Sequence, residues 1–499
     1  LLVDSSISTI LCRFIKKDNQ SAGVPMSLNR KKTLRQVIMT TLTDVNDPNG
    51  ELIELDSLNH YTRKAVPALK VNGKIIKNYS YNYFPIILNN DGSLWREAIL
   101  YITDKANSDF NYKISTYHSI MSDLTHFKNF IDENNINMFN FPKMKLLRPT
   151  YRYRNYLLLL VQNDELSSHT AKRRVSCMIN FYRYLIEDNH FKPSFPLWNE
   201  RDLYIKTYDS RGSSFNVKKN TTDLKIKSVI NDNPFSSELI DGGKLQPLTR
   251  HEQLILIETI HTLQNTEMLL IHLIALLTGA RIQTVLTLRK SLFLKSMDIN
   301  DHFYNIAIGH GTNIDNKKDK NLMLIFPKLL YNKIRVYILS KRHLNRASKI
   351  KNNEYNDYIF LSNRGVPYYL GKESLKSDLT QPGERTMHNG EAVRQFISKR
   401  VIPIMRCKLL NDKYTFRFHD LRATFGMNLS ESQMRLVEEG KQSLHNAREY
   451  VKARMGHTTL EMTDRYLNSK INYNTYMSHQ ENYEEYINIL LSRVEKEYP

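Results

Sequence analysis

Residues that staple, break or loosen a chain are scarce in this sequence. Only three cysteines, Cys12, Cys177 and Cys407, stand among 499 residues, and none lies in a CxxC pair or a Cys/His cluster. That excludes a disulfide framework and a structural zinc site and points to a reducing compartment. With 17 glycines and 15 prolines, collagen-like and low-complexity architectures are excluded as well. No apolar run approaches the roughly 20 residues of a membrane span. The longest, Met268 to Leu277, contains His272 and reads as a buried helix of a soluble protein, so no membrane is expected as a partner. Acidic side chains are also in deficit, 51 against 71 Lys+Arg, which leaves a net charge of +20. An excess of that size attracts a polyanion, either nucleic acid or an acidic surface, although it also fits a basic exterior that serves solubility alone. The chain begins at Leu1, and no basic-then-apolar signal peptide follows it.

What is present reads as an ordinary globular chain, 41% apolar, long enough for about three domains of roughly 150 residues each. Residues 1–105 open with the basic cluster Arg30-Lys31-Lys32 and carry two hairpin signals, Asn72-Gly73 and Asp91-Gly92. They read as a small, partly β N-terminal module, possible DNA-arm binder included. Its run Asn78 to Pro85 is either a strand with aromatics on one face or a base-stacking surface. Residues 106–195 change to helical periodicity. Tyr117, Ile120, Met121, Leu124, Phe127, Phe130 and Ile131 form one stripe, Val175, Met178, Ile179, Tyr182, Leu185 and Ile186 a second, and Tyr151 to Val161 a third helix between them. Lys172, Arg173 and Arg174 occupy the first turns of the second stripe, where cations oppose the helix dipole. A phosphate backbone lying against them explains that placement, and so does a solvated face. Residues 196–245 lose the periodicity and read as a linker or an insertion with room for short strands.

Chemistry-bearing residues gather after 245. The apolar run ends in Thr278-Gly279-Ala280-Arg281, where glycine lets the chain turn and present a guanidinium at the end of a buried helix. Asn305 to Gly309 and Asn321 to Phe326 alternate as a hairpin whose tip holds Lys317, Lys318 and Lys320. In Phe416-Arg-Phe-His-Asp-Leu-Arg422, His419 and Arg422 share one face if the segment is helical, while Phe418, Leu421 and Phe425 anchor it. A guanidinium fork suits phosphate oxygens, and an imidazole can hold or move a proton near neutral pH. Met455-Gly456-His457 comes next, and Tyr466 lies nine residues beyond the histidine. A tyrosine near two arginines and two histidines has the makings of a nucleophile.

Thr-Gly-Ala-Arg281, the lysine-tipped hairpin, His419-Asp-Leu-Arg422, Gly456-His457 and Tyr466, in this order, resemble the tyrosine recombinase (phage integrase) family. The resemblance covers about residues 245–475, and the helical region 110–190 is similar in pattern to that family's core-binding domain. It implies a mainly α fold with small β-sheet (α+β). A helical core DNA-binding domain (106–195) would precede a mixed α/β catalytic domain (246–475), and a tail helix (476–499) would follow. It further implies that Tyr466 attacks the scissile phosphate to give a 3′-phosphotyrosyl link and a free 5′-hydroxyl, with no metal, cofactor or ATP. Arg281, Arg422 and His457 would stabilise the phosphate oxygens. Lys318 or Lys320 would protonate the leaving oxygen, and His419 would help deprotonate the tyrosine or order the site.

The expected partners are double-stranded DNA, further copies of the chain up to a tetramer, and accessory DNA-bending or directionality factors. A recombinase of a mobile element, catalysing integration and excision, would act in the cytoplasm at the nucleoid in a bacterial or phage-like setting. The tail residues Tyr483, Tyr486, Ile487, Leu490, Leu491 and Val494 form an apolar stripe for the chain's own domain or a neighbour, and the resemblance favours the neighbour. Two departures from the family pattern stand out. Thr284 occupies a place that is often acidic, and Met455 replaces the common leucine. Alternatives are a type IB topoisomerase-like relaxing enzyme and a catalytically silent DNA-binding protein.

Overall fold

A computed structural model of the chain describes residues 30–467, with breaks at 39, 45–50, 57–58, 66–68, 72–73, 77–79, 109–112, 188–190, 209–213, 227–238, 241–242, 296–301 and 377–387. The tail stripe from Tyr483 to Val494 lies outside the described residues. The chain divides into two compact units, residues 1–231 with 378–386, and residues 232–377 with 387–499. Both combine helices with small antiparallel sheets, and the described chain as a whole is mainly helical, which is the expected fold class.

In the first unit β1 (Lys31–Ile38) pairs antiparallel with β7 (Ser80–Ile87), placing Leu34 opposite Phe84 and Val37 opposite Tyr81. Between them run β2 (Thr40–Asp44), β3 (Glu51–Asp56) and β4 (Asn59–Ala65) in the order β2-β4-β3. The hairpin β5 (Leu69–Val71) and β6 (Lys74–Ile76) follows, and the Asn72-Gly73 signal lies between its strands, outside the described residues. At Asp91-Gly92 the chain reverses as expected. Gly92 has φ 84° and Leu88 bridges to Leu94. The aromatic run is a strand, not a base-stacking surface, because Tyr81, Tyr83 and Phe84 are all buried.

Strands β1 and β7 share one apolar core with α1 (Arg96–Ser108), α2 (Ile114–Glu133), α3 (Pro149–Gln162) and α4 (Ser168–Glu187). Both helical stripes point into it, and Pro149 sits at the first turn of α3, where its missing N–H costs nothing. Edge-to-face ring pairs, Phe127 on Tyr153 at 4.9 Å and Trp95 on Phe181 at 5.4 Å, each contribute about 0.5–1.5 kcal/mol beyond burial. A hairpin of β8 (Glu200–Tyr208) and β9 (Ser214–Thr222) closes the unit.

The second unit starts with the short pair β10 (Leu239–Ile240) and β11 (Lys244–Leu245). Helices α5 (Arg250–Thr262), α6 (Thr266–Thr278) and α7 (Ile282–Leu286) come next. Thr249 and Glu252 form a reciprocal capping box that fixes the start of α5. The hairpin β12 (Phe303–Ile308) and β13 (Leu322–Pro327) precedes α8 (Lys328–Leu339), α9 (Lys341–Ala347) and α10 (Lys372–Lys376). Then α11 (Glu391–Phe396) runs through a π-turn into α12 (Ile402–Leu409). Helices α13 (Phe418–Glu438) and α14 (Leu444–Met455) follow, and residues 460–467 form a last helical segment, α15.

The apolar run is α6, the central helix of this unit, buried along most of its length. Its fully buried Glu267 accepts two hydrogen bonds from Arg342 and one from Tyr337, with Arg346 3.0 Å away, so α8 and α9 are tied to it. Among the described residues no helix is long and apolar enough to cross a membrane.

Candidate active site

Arg281, Arg422, His419, His457 and Tyr466 all belong to the second unit, and the sequence explains how each is presented. Helix α6 stops because Gly279 takes the left-handed conformation, φ 69°, while Thr278 Oγ1 accepts from the Ala280 N–H at 3.3 Å. Two residues later Arg281 occupies the N-cap position of α7, half-buried. A β-carbon on Gly279 would collide with the Phe425 ring, so glycine is demanded there by space as well as by φ.

Helix α13 carries His419 and Arg422 one turn apart, as the sequence pattern requires. Its start is locked by Asp420, whose carboxylate accepts from the backbone N–H groups of Arg417 at 2.7 Å and Gln246 at 3.1 Å. Burial pushes the Asp420 carboxyl above its ordinary range, and those two donors offset part of the rise. One turn on, Thr424 Oγ1 accepts from the Leu248 N–H, pinning the same lead-in segment. His419 is half-buried and Arg422 is buried.

The Arg422 guanidinium is the clasp of the site. Nη1 donates to the Gly279 carbonyl at 2.6 Å and Nη2 donates to the Met455 carbonyl. These acceptors lie two residues before Arg281 and His457 respectively, so one side chain draws both loops onto α13. Gly456, φ 60°, ends α14 and brings its backbone against Leu322 of β13; a β-carbon there would lie 2.7 Å from Leu322 Cδ1. His457, 7% exposed, then stacks on the Tyr466 ring with centroids 5.2 Å apart and planes at 30°. Its Nδ1 lies 3.0 Å from Thr463 Oγ1.

Tyr466 itself is fully buried in a cluster with Leu239, Leu245, Ala423, Phe425, Val451 and Met455. The ring fits only because α13 carries glycine at 426. A β-carbon there would lie 2.5 Å from Tyr466 Cε1.

The lysine hairpin forms as expected, with Ile308 opposite Leu322 and Phe303 opposite Pro327. Its connecting loop holds a single 3-10 turn, Lys317–Asp319. Lys317 is exposed and Lys320 half-buried, whereas the Lys318 side chain lies outside the described residues. Asp315 roots the loop. Its carbonyl accepts from Thr284 Oγ1 at 2.8 Å, its N–H donates to Thr287 Oγ1 at 2.9 Å and its carboxylate accepts from the Lys372 N–H at 3.0 Å. Burial raises the Asp315 carboxyl above the usual range. Thr284 therefore ties the helix behind Arg281 to the loop that carries the lysines.

In the first unit Arg173 is committed to Asp123, donating from Nε at 2.9 Å and Nη2 at 2.8 Å, and Arg174 Nε lies 3.9 Å from the same carboxylate. Lys172 is exposed. Among the described residues no group of three His, Cys, Asp or Glu side chains could hold a metal ion. Sequence reasoning missed Thr463, Gly426, Asp420 and Asp315. Asp420 sits inside the His-Asp-Leu-Arg box and was within reach as a helix-start carboxylate, while the other three leave no local signal.

No curated protein sequence matches the chain. Several solved structures are similar to it, three of them as follows. The XerH site-specific recombinase bound to palindromic difH substrate has 14% identity over 80% of this chain and 92% of its own, TM-score 0.42. A lambda integrase dimer bound to a COC′ core site has 14% identity over 75% and 95%, TM-score 0.41. The Tn1549 transposon integrase in complex with circular intermediate DNA has 13% identity over 74% and 94%, TM-score 0.40. Residues 246–472 match the model of the phage integrase family. That span holds all five of Arg281, His419, Arg422, His457 and Tyr466 in their expected order, and residues 246–472 form a domain of the phage integrase family.

Proposed function

We propose that the protein is a site-specific DNA recombinase that cuts and rejoins duplex DNA through Tyr466 and serves the integration and excision of a mobile element. The observation that carries this reading is the Arg422 clasp, which gathers the Arg281 and His457 loops while His457 stacks on Tyr466. Tyr466 Oη attacks the scissile phosphorus, the P–O5′ bond breaks, and a 3′-phosphotyrosyl bond forms. His419 takes the tyrosine proton, and Lys318 or Lys320 gives one to the leaving 5′-oxygen. Arg281 and Arg422 neutralise the non-bridging oxygens as charge develops, and His457 donates a further hydrogen bond. The phosphodiester energy stays in the covalent bond, so religation needs neither ATP nor a metal.

A buried tyrosine cannot reach a phosphate, so binding of DNA must draw Tyr466 out of its apolar seat. The +20 charge supplies the affinity for the duplex. Lys172 contacts the backbone directly, and Arg173 and Arg174 do so by sharing or leaving Asp123. Four copies act together on two duplexes, with the tail stripe of each packed on a neighbour and accessory DNA-bending or directionality factors setting the outcome. The place of action is the cytoplasm, at the nucleoid.

The test is to incubate the protein with nicked suicide fragments of genomic DNA, trap covalent adducts and sequence what is attached. A single defined junction supports recombination, scattered sites support a relaxing enzyme of the topoisomerase IB kind, and no adduct under binding conditions refutes both. Tyr466→Phe should bind DNA as the wild type does and form no adduct.

A further inference from the structure

We propose that Thr463 is a positioning residue that keeps a proton on Nε2 of His457, the nitrogen that faces away from it, in both charge states of the ring. The inference rests on the recombinase reading of Tyr466 and deepens it. Thr463 is fully buried, three residues before Tyr466 on α15, and His457 Nδ1 is the one hydrogen-bond partner of its Oγ1 among the described residues. Stacking on Tyr466 fixes the plane of the imidazole, and the contact at 3.0 Å fixes its rotation.

The chemistry follows from what a hydroxyl can do. It donates one hydrogen and also accepts. With no other acceptor among those residues, the Thr463 O–H is satisfied only by donating to Nδ1. That places the single hydrogen of the neutral ring on Nε2, because a buried hydroxyl left without an acceptor is penalised. When the ring takes a second proton, the hydroxyl turns and accepts from Nδ1–H, and Nε2 still carries its own. A carboxylate or a carbonyl at this place only accepts. It would claim the hydrogen for Nδ1 in the neutral ring and leave Nε2 bare. Threonine thus keeps His457 a donor toward a phosphate oxygen whether the ring is neutral or protonated, and Thr463 shares α15 with Tyr466.

Two measurements test this. The full-length chain with 15N-labelled histidine, free of DNA, is examined by long-range proton–nitrogen correlation, with the His457 signals identified by their loss in His457→Asn. The wild type and Thr463→Ser should show the Nε2–H tautomer, and Thr463→Val, which keeps the shape and loses the hydroxyl, a mixture. Adduct formation is then timed across pH on a nicked duplex carrying the junction captured by the wild type. Thr463→Val should be slower by about tenfold, with a steeper pH dependence and unchanged DNA affinity. Thr463→Ser should restore the wild-type profile, and Thr463→Val should add nothing in a His457→Ala background. A wild-type tautomer in Thr463→Val, or full multiplication of the two defects, overturns the proposal. Absence of any wild-type adduct would sink the recombinase reading instead, and the tautomer measurement would still decide the role of Thr463.

Discussion

Replacing Gly426 by alanine tests whether α13 is shaped around the Tyr466 ring. In an open helix the change is favourable by about 1 kcal/mol, because glycine loses more backbone freedom on folding. At this position the new β-carbon would lie 2.5 Å from Tyr466 Cε1, 2.7 Å from Cδ1 and 2.9 Å from Met455 Cε. Carbon atoms rest at roughly 3.5–4 Å, so the ring must retreat by about 1 Å. The stack on His457 blocks one face, and Met455 and Val451, both fully buried, flank it. Overpacking of this kind costs about 1–3 kcal/mol, so the net effect should be a loss of up to about 2 kcal/mol. Urea unfolding followed by circular dichroism measures it, and nitration of Tyr466 mapped by mass spectrometry reports whether the ring has been displaced toward solvent. In a Tyr466→Ala background the obstacle is gone, and the same substitution should stabilise by about 1 kcal/mol. Equal stabilisation in both backgrounds would refute the idea that Gly426 makes room for the ring.

Three further substitutions probe the same domain. Arg422→Lys keeps the charge and cannot hold the Gly279 and Met455 carbonyls together, so adduct formation should fall by at least about hundredfold; a rate within threefold of wild type would argue against the clasp. His272 is buried, with Nδ1 2.7 Å from the Met268 carbonyl, and burial pushes its pKa down to about 4 from the ordinary 6.5. Between those values the unfolded chain takes a proton that the folded chain refuses. Stability is therefore complete above the higher value and falls by about 3 kcal/mol toward the lower, and urea titrations of His272→Leu at pH 7 and 4.5 should lack that part of the slope. Burial works against the Glu267 carboxylate, but Arg342 and Arg346 outweigh it and hold its pKa below the ordinary value. Its contribution is lost as pH falls through that lowered pKa, and Glu267→Gln should cost about 3 kcal/mol at neutral pH by leaving buried Arg346 without its carboxylate, which a wild-type urea midpoint would contradict.

What could be read from the sequence was whatever repeats or whatever a single residue type enforces. The stripe from Tyr117 to Ile131 required only a period of 3.6 to predict α2, and Thr-Gly-Ala-Arg281 announced a helix end because glycine alone enters the left-handed region cheaply. Side-chain direction in β7 could not be read the same way. Tyr83 takes φ 57° within the strand, and Tyr81, Tyr83 and Phe84 are all buried, which no period of two announces. The ion pair made by the basic turn of α4 was hidden for a related reason. Arg173 answers Asp123, 50 positions earlier, and no local pattern announces an ion pair across two helices. Within the site, His419, Arg422, His457 and Tyr466 were visible as types at a spacing. The burial of Tyr466, its seat on Gly426 and the Thr463 contact exist only once α13, α14 and α15 are packed together.

Thr284 shows how far a family pattern can be trusted at one position. An acidic residue is common there, and the simplest expectation is that restoring it improves the site. The surroundings argue the opposite. Thr284 is 2% exposed and its Oγ1 donates to the Asp315 carbonyl at 2.8 Å. A carboxylate in its place would meet that carbonyl oxygen with a second acceptor, forfeiting a hydrogen bond worth about 1 kcal/mol and burying a charge opposite a dipole of the wrong sign. Thr284→Glu should therefore lower stability by about 3 kcal/mol or more and loosen the Lys317–Lys320 loop that Asp315 roots. Limited proteolysis should then cut between Asn313 and Asn321 sooner than in the wild type, and adduct formation should slow. Should Thr284→Glu instead raise the urea midpoint and quicken the adduct, the threonine is a defect in an acidic site, and the coupling of α7 to the lysine loop through Asp315 plays no part in catalysis.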